Sequence, residues 1–203
     1  MMTIETIIWD LGGVLLRTDE RQPRTSLAKE LKLSYEELDR LVFNSPSAHQ
    51  ASRGEITAAE HWKNMCKLLS WPEEKVQELQ DRFWGGDGLD EALIEFIQSL
   101  KPSYTLALLS NNWSDLRPAL VNEWQIADLF KEIIISAEVG LVKPDARIYQ
   151  LTQEKLGIAP KHILLIDDFI ENVQAAWEAG WQAIQFHNSR QVMAEMQAIL
   201  GID

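Results

Sequence analysis

Short apolar runs alternate along the chain with longer stretches in which apolar residues fall three and four positions apart. The short runs are 6–9, 104–109, 133–135, 163–166 and 182–186. The stretches with helical periodicity that follow or precede them are 89–100, 114–124, 146–156, 170–179 and 191–200. Strands that alternate with amphipathic helices are typical of βαβ units. The pattern therefore predicts an α/β fold, with a parallel sheet covered by helices on both faces.

The region between the first two apolar runs has a different pattern. Residues 22–84 show helical periodicity throughout and no strand pattern. Ser34 followed by Glu37 predicts a capping box at the start of one of these helices. Residues 44–54 are polar and are predicted to form a loop. This region is therefore predicted to be a small helical bundle.

A glycine-rich stretch at 85–88 is the clearest linker in the chain. It marks the return from the helical bundle to the alternating pattern. We therefore predict a core domain made of residues 1–16 and 89–203, and an inserted cap domain made of residues 17–88. The natural position for such an insertion is over the carboxyl edge of the sheet, where open α/β sheets bind ligands.

Charge and cysteine content narrow the choice of partners. Acidic residues outnumber basic ones by 31 to 19, which gives a formal net charge of -12. Nucleic acids and anionic membranes attract basic surfaces, so we expect neither as a partner. The single Cys66 fits a reducing compartment. With no signal-peptide pattern and no apolar run of membrane-spanning length, the chain is expected to be cytoplasmic.

Polar residues follow four of the predicted strands. The carboxyl ends of parallel strands meet at one edge of a sheet, so these residues are expected to converge although they are far apart in sequence. They are Asp10, Ser110 with Asn111, Lys143, and Asp167 with Asp168.

This set of side chains suits phosphoryl transfer through an aspartyl phosphate. A phosphate dianion, Asp10 and Asp168 bring about four negative charges, which Mg²⁺ and Lys143 nearly neutralise with about three positive ones. Near-neutrality matters because a carboxylate attacks phosphorus only when their mutual repulsion is removed. Mg²⁺ prefers oxygen ligands, which Asp10, Asp168 and the backbone carbonyl of Gly12 would supply.

Four segments carry a family resemblance. They are WDLGGVL at 9–15, LSNN at 109–112, GLVKPD at 140–145, and IDD at 166–168 with Asn172. In this order, and with a helical insertion after the first, they resemble the motifs of the haloacid dehalogenase-like (HAD-like) hydrolases over nearly the whole chain. The resemblance implies a Rossmann-like core with a small helical cap.

The resemblance also implies a role for each site residue. Asp10 would be the nucleophile, and Lys143 would act beside it. Mg²⁺ would be held by Asp10, Gly12 and Asp168. Asp167 and Asn172 would support these ligands. The phosphate-binding residues would be Gly12, Gly13, Ser110, Asn111 and Lys143. The implied activity is a Mg²⁺-dependent phosphatase of a small phosphorylated metabolite, with sugar phosphates among the candidates, working as a monomer or homodimer.

Gly12 departs from the pattern of the family's phosphatases. Two positions after the nucleophile they usually carry a second aspartate, which protonates the leaving group, and a positioned acid contributes about 10²–10⁴-fold. Asp19, Glu20 and His49 are conceivable replacements. Two other functions stay open at this point. One is a metal-free dehalogenase that releases halide from a 2-haloacid, and the other is a catalytically weak protein that binds a ligand or partner.

Tryptophans are a further group of candidates. The chain has eight, and their positions separate possible substrate contacts from packing residues. Those that could contact substrate are Trp62, Trp71, Trp84 and Trp113. Those expected to pack in the core are Trp9, Trp124, Trp177 and Trp181.

Overall fold

A five-stranded parallel sheet forms the centre of the structure, a computed structural model that describes residues 3–202. The strands along the chain are β1 Thr6–Trp9, β2 Leu16–Thr18, β3 Asp87–Leu89, β4 Thr105–Ser110, β5 Glu132–Ile135, β6 Ile163–Asp167 and β7 Gln182–Gln185. The sheet has the order β5-β4-β1-β6-β7, and β2 pairs with β3 in a separate ribbon. Strand β1 is therefore central, between β4 and β6.

The helices of the chain lie either on the two faces of this sheet or in the segment between β2 and β3. They are α1 Gln22–Glu30, α2 Tyr35–Asn44, α3 Pro46–Ser52, α4 Ala58–Leu68, α5 Val76–Trp84, α6 Glu91–Leu100, α7 Leu116–Pro118, α8 Ser136–Val139, α9 Ala146–Leu156, α10 Ile170–Glu178 and α11 Ser189–Leu200. Successive strand residues point to opposite faces. Ile7 and Trp9 pack in a core shared with α6 and α11, whereas Ile8 packs in a core shared with α9 and α10. The predicted α/β, Rossmann-like fold with helices on both faces is confirmed.

Local signals read from the sequence predict several element ends correctly. Helix α9 covers the predicted residues 146–156, and Gly157 ends it in the left-handed conformation with φ 65°. The capping box is present at α2, where Ser34 accepts from the N–H of Glu37 and the Glu37 carboxylate accepts from the N–H of Ser34. These signals are local, so the rest of the fold does not override them.

Two elements and one side chain differ from the predictions. Residues 44–54 are not a loop, because α3 occupies most of them and buries Ala48 and Ala51. Residues 114–124 form a short helix, α7, followed by a π-helical turn rather than one continuous α-helix. Trp177 is predicted to pack in the core, but its side chain is 51% exposed.

Residues 73–75 form a 3₁₀ turn before α5 begins at Val76.

The segment between β2 and β3 leaves and re-enters the core through the ribbon, although no strand was predicted there. Leu16 pairs with Leu89 and Thr18 with Asp87 in antiparallel register. We call residues 19–86, which lie between the two strands, the inserted segment. Its helices share their own hydrophobic cluster, with residues such as Leu27, Trp62 and Phe83.

The inserted segment contacts the core beside the carboxyl end of β4. Trp113, three residues after β4, packs in the hydrophobic cluster of the inserted segment, and the Ser114 hydroxyl accepts from the N–H of Ala58 at 3.1 Å. Gly54 has φ 71°, and a Cβ at this position would lie 2.1 Å from the carbonyl oxygen of Ala137. A larger residue would therefore push the inserted segment away from the core at this contact. Within residues 3–202, the structure has no helix that is both long and apolar enough to cross a membrane.

Candidate active site

Asp10 lies directly after β1, at the carboxyl edge of the sheet. Its Oδ1 accepts from the backbone N–H of Leu11 at 2.7 Å and lies 3.1 Å from Nζ of Lys143. Asp10 is 6% exposed. Because both of these contacts are made by Oδ1, the other oxygen, Oδ2, is the one positioned to attack a substrate or bind a cation.

Lys143 is held in place from two directions. Its Nζ donates to Asp167 Oδ2 at 2.6 Å and to the carbonyl oxygen of Leu109 at 2.8 Å, in addition to its contact with Asp10. Its backbone is fixed by Asn111, whose Oδ1 accepts from the Lys143 N–H at 2.7 Å and whose Nδ2 donates to the Lys143 carbonyl at 2.8 Å. The loop that carries the lysine is therefore tied to the end of β4.

Asp167 is fully engaged in holding the site together. Besides the bond from Lys143, its Oδ1 accepts from Asn172 Nδ2 at 2.9 Å and from the N–H of Phe169 at 3.0 Å. Asn172 is fixed in turn, because its carbonyl oxygen accepts from the buried Tyr149 hydroxyl at 2.9 Å. Asp167 therefore acts as a support that orients Lys143.

Asp168 has the opposite character. Its Oδ1 is buried and has no hydrogen-bond partner among the described residues. Oxygen atoms of Asp10, Asp167 and Asp168 all lie within 4.8 Å of one another. A buried carboxylate oxygen without a partner is costly, and a cluster of oxygen donors with one unsatisfied member fits a hard divalent cation such as Mg²⁺.

The charges of this cluster are unbalanced. Burial raises the pKa of Asp10 to about 7, and the neighbouring Asp167 and Asp168 raise it further against the opposing effect of Lys143. Burial, with Asp167 adding to it, raises the pKa of Asp168 to about 6. Burial alone would lower the pKa of Lys143, but Asp10 and Asp167 outweigh it, so the lysine pKa lies above its usual value. A bound cation would favour the ionised form of both raised carboxylates.

The two glycines after Asp10 differ in what the structure demands of them. Gly13 has φ 77°, and a Cβ there would lie 2.3 Å from Oδ2 of Asp168. Gly12 is exposed, its φ is outside the left-handed region, and no heavy atom beyond its immediate neighbours lies within 4 Å of an added Cβ. Gly13 is thus required by the aspartate beside it, whereas Gly12 is not required by sterics.

The structure brings most of the predicted site residues to this edge of the sheet. Ser110 ends β4 and is buried. Asn111 is predicted to bind phosphate, but its side-chain amide binds the backbone of Lys143 instead. Its Nδ2 donates to the Lys143 carbonyl oxygen, and its Oδ1 accepts from the Lys143 N–H. Sequence reasoning missed this clamp. It also missed that Gln185, at the end of β7, donates to the carbonyl oxygen of Asp168 at 3.1 Å.

The structure gives the exposure of the conceivable replacements for the missing aspartate, and it buries two of the candidate tryptophans. Asp19, Glu20 and His49 are exposed, and none is among the charged groups that shift the pKa of Asp10. Trp62 and Trp113 are almost completely buried inside the hydrophobic cluster of the inserted segment. Both therefore pack against protein.

Several relatives with assigned activities are similar to this chain. A sesquiterpene phosphatase of Aspergillus oryzae is 23% identical over 204 residues, which are 98% of each chain. A phosphorylated carbohydrates phosphatase of Thermotoga maritima is 25% identical over 186 residues, 89% of this chain and 84% of that protein. Rat bifunctional epoxide hydrolase 2 is 24% identical over 208 residues, 94% of this chain but 36% of that longer protein.

Solved structures share the fold. A predicted HAD-like family hydrolase from Porphyromonas gingivalis has a TM-score of 0.78 at 20% identity, covering 99% of this chain and 100% of that one. A HAD family enzyme from Bacteroides thetaiotaomicron, in complex with magnesium and inorganic phosphate, has a TM-score of 0.76 at 20% identity and covers 93% and 98%. An L-2-haloacid dehalogenase from Xanthobacter autotrophicus has a TM-score of 0.67 at 18% identity and covers 99% and 85%.

A family model extends over most of the sequence. The model described as haloacid dehalogenase-like hydrolase matches residues 4–180, a range that contains Asp10, Lys143 and Asp168. The chain belongs to the haloacid dehalogenase-like hydrolases.

Proposed function

We propose that this hydrolase is a Mg²⁺-dependent phosphatase that forms an aspartyl phosphate on Asp10. The observation that carries the proposal is the unbalanced cluster at the carboxyl edge of the sheet. Asp10 is oriented through Oδ1, Lys143 is fixed beside it, and Asp168 keeps a buried oxygen without a partner. The similarity to phosphatases of Aspergillus oryzae and Thermotoga maritima supports this assignment.

Asp10, Asp168 and the carbonyl of Gly12 would hold Mg²⁺. When bound, the ion would neutralise negative charge on the phosphoryl oxygens and on both carboxylates. In this proposal Asp167 is not a ligand, because its oxygens already accept from Lys143, Asn172 and Phe169. The donor set consists only of oxygen atoms, in agreement with the preference of Mg²⁺.

The reaction proceeds in two steps. Asp10 Oδ2 forms a bond to phosphorus while the bond from phosphorus to the leaving oxygen breaks. Lys143 balances the charge of Asp10 and, with the Ser110 hydroxyl, would bind the non-bridging phosphoryl oxygens. Water then attacks phosphorus, the bond to Asp10 breaks, and inorganic phosphate leaves.

Residues 17–88 are proposed to be the cap of this site, and they would select the substrate. The inserted segment rests on the core beside Trp113 and Ser114, immediately after Ser110 and Asn111. Its contact surface therefore begins a few residues beyond Ser110, a proposed phosphate ligand. The proposed substrate is a small phosphorylated metabolite that fits between the sheet edge and this segment.

A 2-haloacid dehalogenase is the main competing function. It would also use Asp10 as nucleophile, but its uncharged carbon–halogen bond calls for no metal ion. In that reaction Oδ1 of Asp168 would stay buried without a partner, and the carboxylate would repel the nucleophile with no compensating role. The unpartnered oxygen of Asp168 therefore favours the phosphatase.

The test is hydrolysis of p-nitrophenyl phosphate by the purified protein, with Mg²⁺ and with EDTA. Wild type and the matched control Asp128→Asn, which changes an exposed carboxylate, should turn over only with Mg²⁺, and Asp10→Asn should be inactive. Chloride release from 2-chloropropionate in EDTA is measured in parallel. Chloride release without Mg²⁺-dependent phosphate release would replace the phosphatase with the dehalogenase.

A further inference from the structure

Gly12 occupies the position where the site lacks an acid, although its surroundings would accept a side chain. Its neighbour Gly13 would collide with Asp168 if it carried a Cβ, whereas a Cβ at Gly12 meets no heavy atom within 4 Å beyond its immediate neighbours. The φ of Gly12 is also one that other residues adopt. Neither packing nor backbone strain therefore requires a glycine at position 12. We look instead for what the missing side chain means for the reaction.

Each ionisable group beside Asp10 has another role in the site. Lys143 has three hydrogens on Nζ, and it contacts three acceptors, on Asp10, Asp167 and Leu109. Asp167 accepts three hydrogen bonds, and Asp168 belongs to the oxygen cluster that fits a cation. Among the described residues of this cluster, none is left to give a proton to a departing oxygen.

A leaving group that receives no proton must depart as an anion. From these observations, and resting on the phosphatase function proposed above, we propose that the enzyme selects phosphates whose leaving oxygen forms a stabilised anion: aryl, enol or acyl phosphates. Simple alkyl phosphates are poor substrates, because their alkoxide leaving groups need an acid.

The steps balance without a protein acid. As Asp10 Oδ2 binds phosphorus, the bond from phosphorus to the leaving oxygen breaks, and its electron pair stays on that oxygen, which takes its proton from bulk water after release. In the second step the attacking water loses its proton to solvent and Asp10 regains its carboxylate. The second step has no positioned base either, so it is slow and the aspartyl phosphate accumulates.

The first experiment measures how steeply the rate depends on the leaving group. Wild-type kcat/KM with Mg²⁺ is determined for p-nitrophenyl, p-chlorophenyl, phenyl and benzyl phosphate, which have similar shapes but increasingly basic leaving groups. Because kcat/KM reports the first irreversible step, a slow second step does not mask the dependence. We expect a fall of about 10²-fold or more from the first substrate to the last, as for the loss of a positioned acid.

The second experiment restores the acid. Gly12→Asp is compared with Gly12→Asn, which has the same size but carries no proton to donate. The ratio of kcat/KM for benzyl phosphate to that for p-nitrophenyl phosphate should be at least about 10-fold higher in the Asp variant than in the Asn variant. If both variants fail to fold or to bind, the dependence measured on wild type decides alone.

The outcomes separate this inference from the proposed function. Wild-type hydrolysis of the whole series at equal kcat/KM overturns the inference and leaves the phosphatase in place, since some group of the chain would then be protonating the leaving oxygen. An equal ratio in folded, active Asp and Asn variants also overturns it. Failure of wild type to hydrolyse even p-nitrophenyl phosphate and acetyl phosphate with Mg²⁺ overturns both proposals.

Discussion

Two buried cations of this molecule, Arg24 in the inserted segment and Lys143 in the core, each lie between two carboxylates, but only one of the clusters is complete. Arg24 is satisfied in every direction. Its guanidinium contacts Asp39 at 2.7 Å and Asp87 at 2.9 Å, donates to the Phe83 carbonyl and the Tyr35 hydroxyl, and lies 4.0 Å from the centre of the Phe83 ring.

Lys143 is equally buried but does not complete its cluster. Its ammonium pairs with Asp10 and Asp167, and Asp168 remains as a third carboxylate with an oxygen that has no partner among the described residues. The comparison teaches that a buried charge by itself does not mark an active site. A cluster in which every donor and acceptor has a partner stabilises the fold. A cluster with an excess carboxylate can instead bind a cation or substrate.

The largest expected effect comes from Lys143→Met. Removing the ammonium leaves Asp10 and Asp167 without their counter-charge and takes away a phosphate ligand, so kcat/KM for p-nitrophenyl phosphate should fall by about 10²–10³-fold or more. Steady-state kinetics with Mg²⁺ provide the measurement. A variant that keeps wild-type kcat/KM would mean that the lysine is structural, as Arg24 is.

The matched change in the inserted segment is Arg24→Met, which should act on stability. It leaves Asp87 buried without its partner, at a cost of about 3–5 kcal/mol in the free energy of unfolding. Denaturant unfolding measures this cost. At a temperature where the variant is folded, its kcat/KM should stay within a few-fold of wild type. A loss of kcat/KM as large as that of Lys143→Met would show that the Arg24 cluster is also needed for activity.

Magnesium binding should stabilise the protein through Asp168. At a concentration one hundred times the dissociation constant, a ligand adds about 2.7 kcal/mol to the stability of the folded state, so Mg²⁺ should raise the Tm of wild type. Asp168→Asn should remove this rise. In EDTA the variant should be at least as stable as wild type, because one of the three crowded carboxylates has lost its charge.

The control for the Mg²⁺-dependent rise in Tm is a change at an exposed carboxylate. Asp128→Asn, which alters an exposed carboxylate, should keep the full Mg²⁺-dependent rise in Tm. An Asp168→Asn variant that is much less stable than wild type in EDTA would contradict the account, since it would make Asp168 a structural residue like Asp87.

The smallest expected effect concerns pH and His61 in the inserted segment. Burial lowers the pKa of His61 from 6.5 to about 4, and its Nδ1 lies 2.9 Å from the Ser47 hydroxyl. Between these pH values the unfolded chain binds more protons than the folded one. The stabilising effect of the neutral ring is therefore complete above about pH 6.5 and is lost as the pH falls towards 4.

The free energy of unfolding of wild type and of His61→Phe is measured across this pH range. Its change with pH should be smaller in the variant, by about 1 kcal/mol or more. The Ser47 hydroxyl keeps a partner in that variant, because it also contacts Ser45 at 3.2 Å. His187→Gln, at an exposed position, should keep the wild-type dependence. An unchanged dependence in His61→Phe would show that His61 is accessible to protons in the folded state.

The sequence predicts the elements whose signals are local and repeated. The strands of the sheet are runs of apolar residues, and α9 has both a helical stripe and a glycine at its end. Helix α3 escaped prediction because its seven residues are small or polar, and only its tertiary contacts bury Ala48 and Ala51. The β2–β3 ribbon escaped because three residues a strand are too few for a pattern.

The same limit applies to the candidate site. The convergence of Asp10, Lys143 and Asp168 follows from the topology of a parallel sheet, so the sequence could predict it. The clamp between Asn111 and the Lys143 backbone could not be predicted, since an amide binds phosphate or backbone equally well and only the distances distinguish the two. The contrast between Gly12 and Gly13 likewise depends on where Asp168 lies in space.

Phosphorylation of Asp10 during turnover is the step on which the proposed mechanism depends. The most direct measurement is to mix wild-type protein with p-nitrophenyl phosphate and Mg²⁺, quench with acid within the first turnovers, and locate the phosphoryl group by peptide mass spectrometry. We expect an acid-stable, alkali-labile phosphoryl group on the peptide that contains Asp10, and none when EDTA replaces Mg²⁺. Turnover with an unmodified Asp10 peptide and a phosphoryl group on another residue would contradict the proposed mechanism.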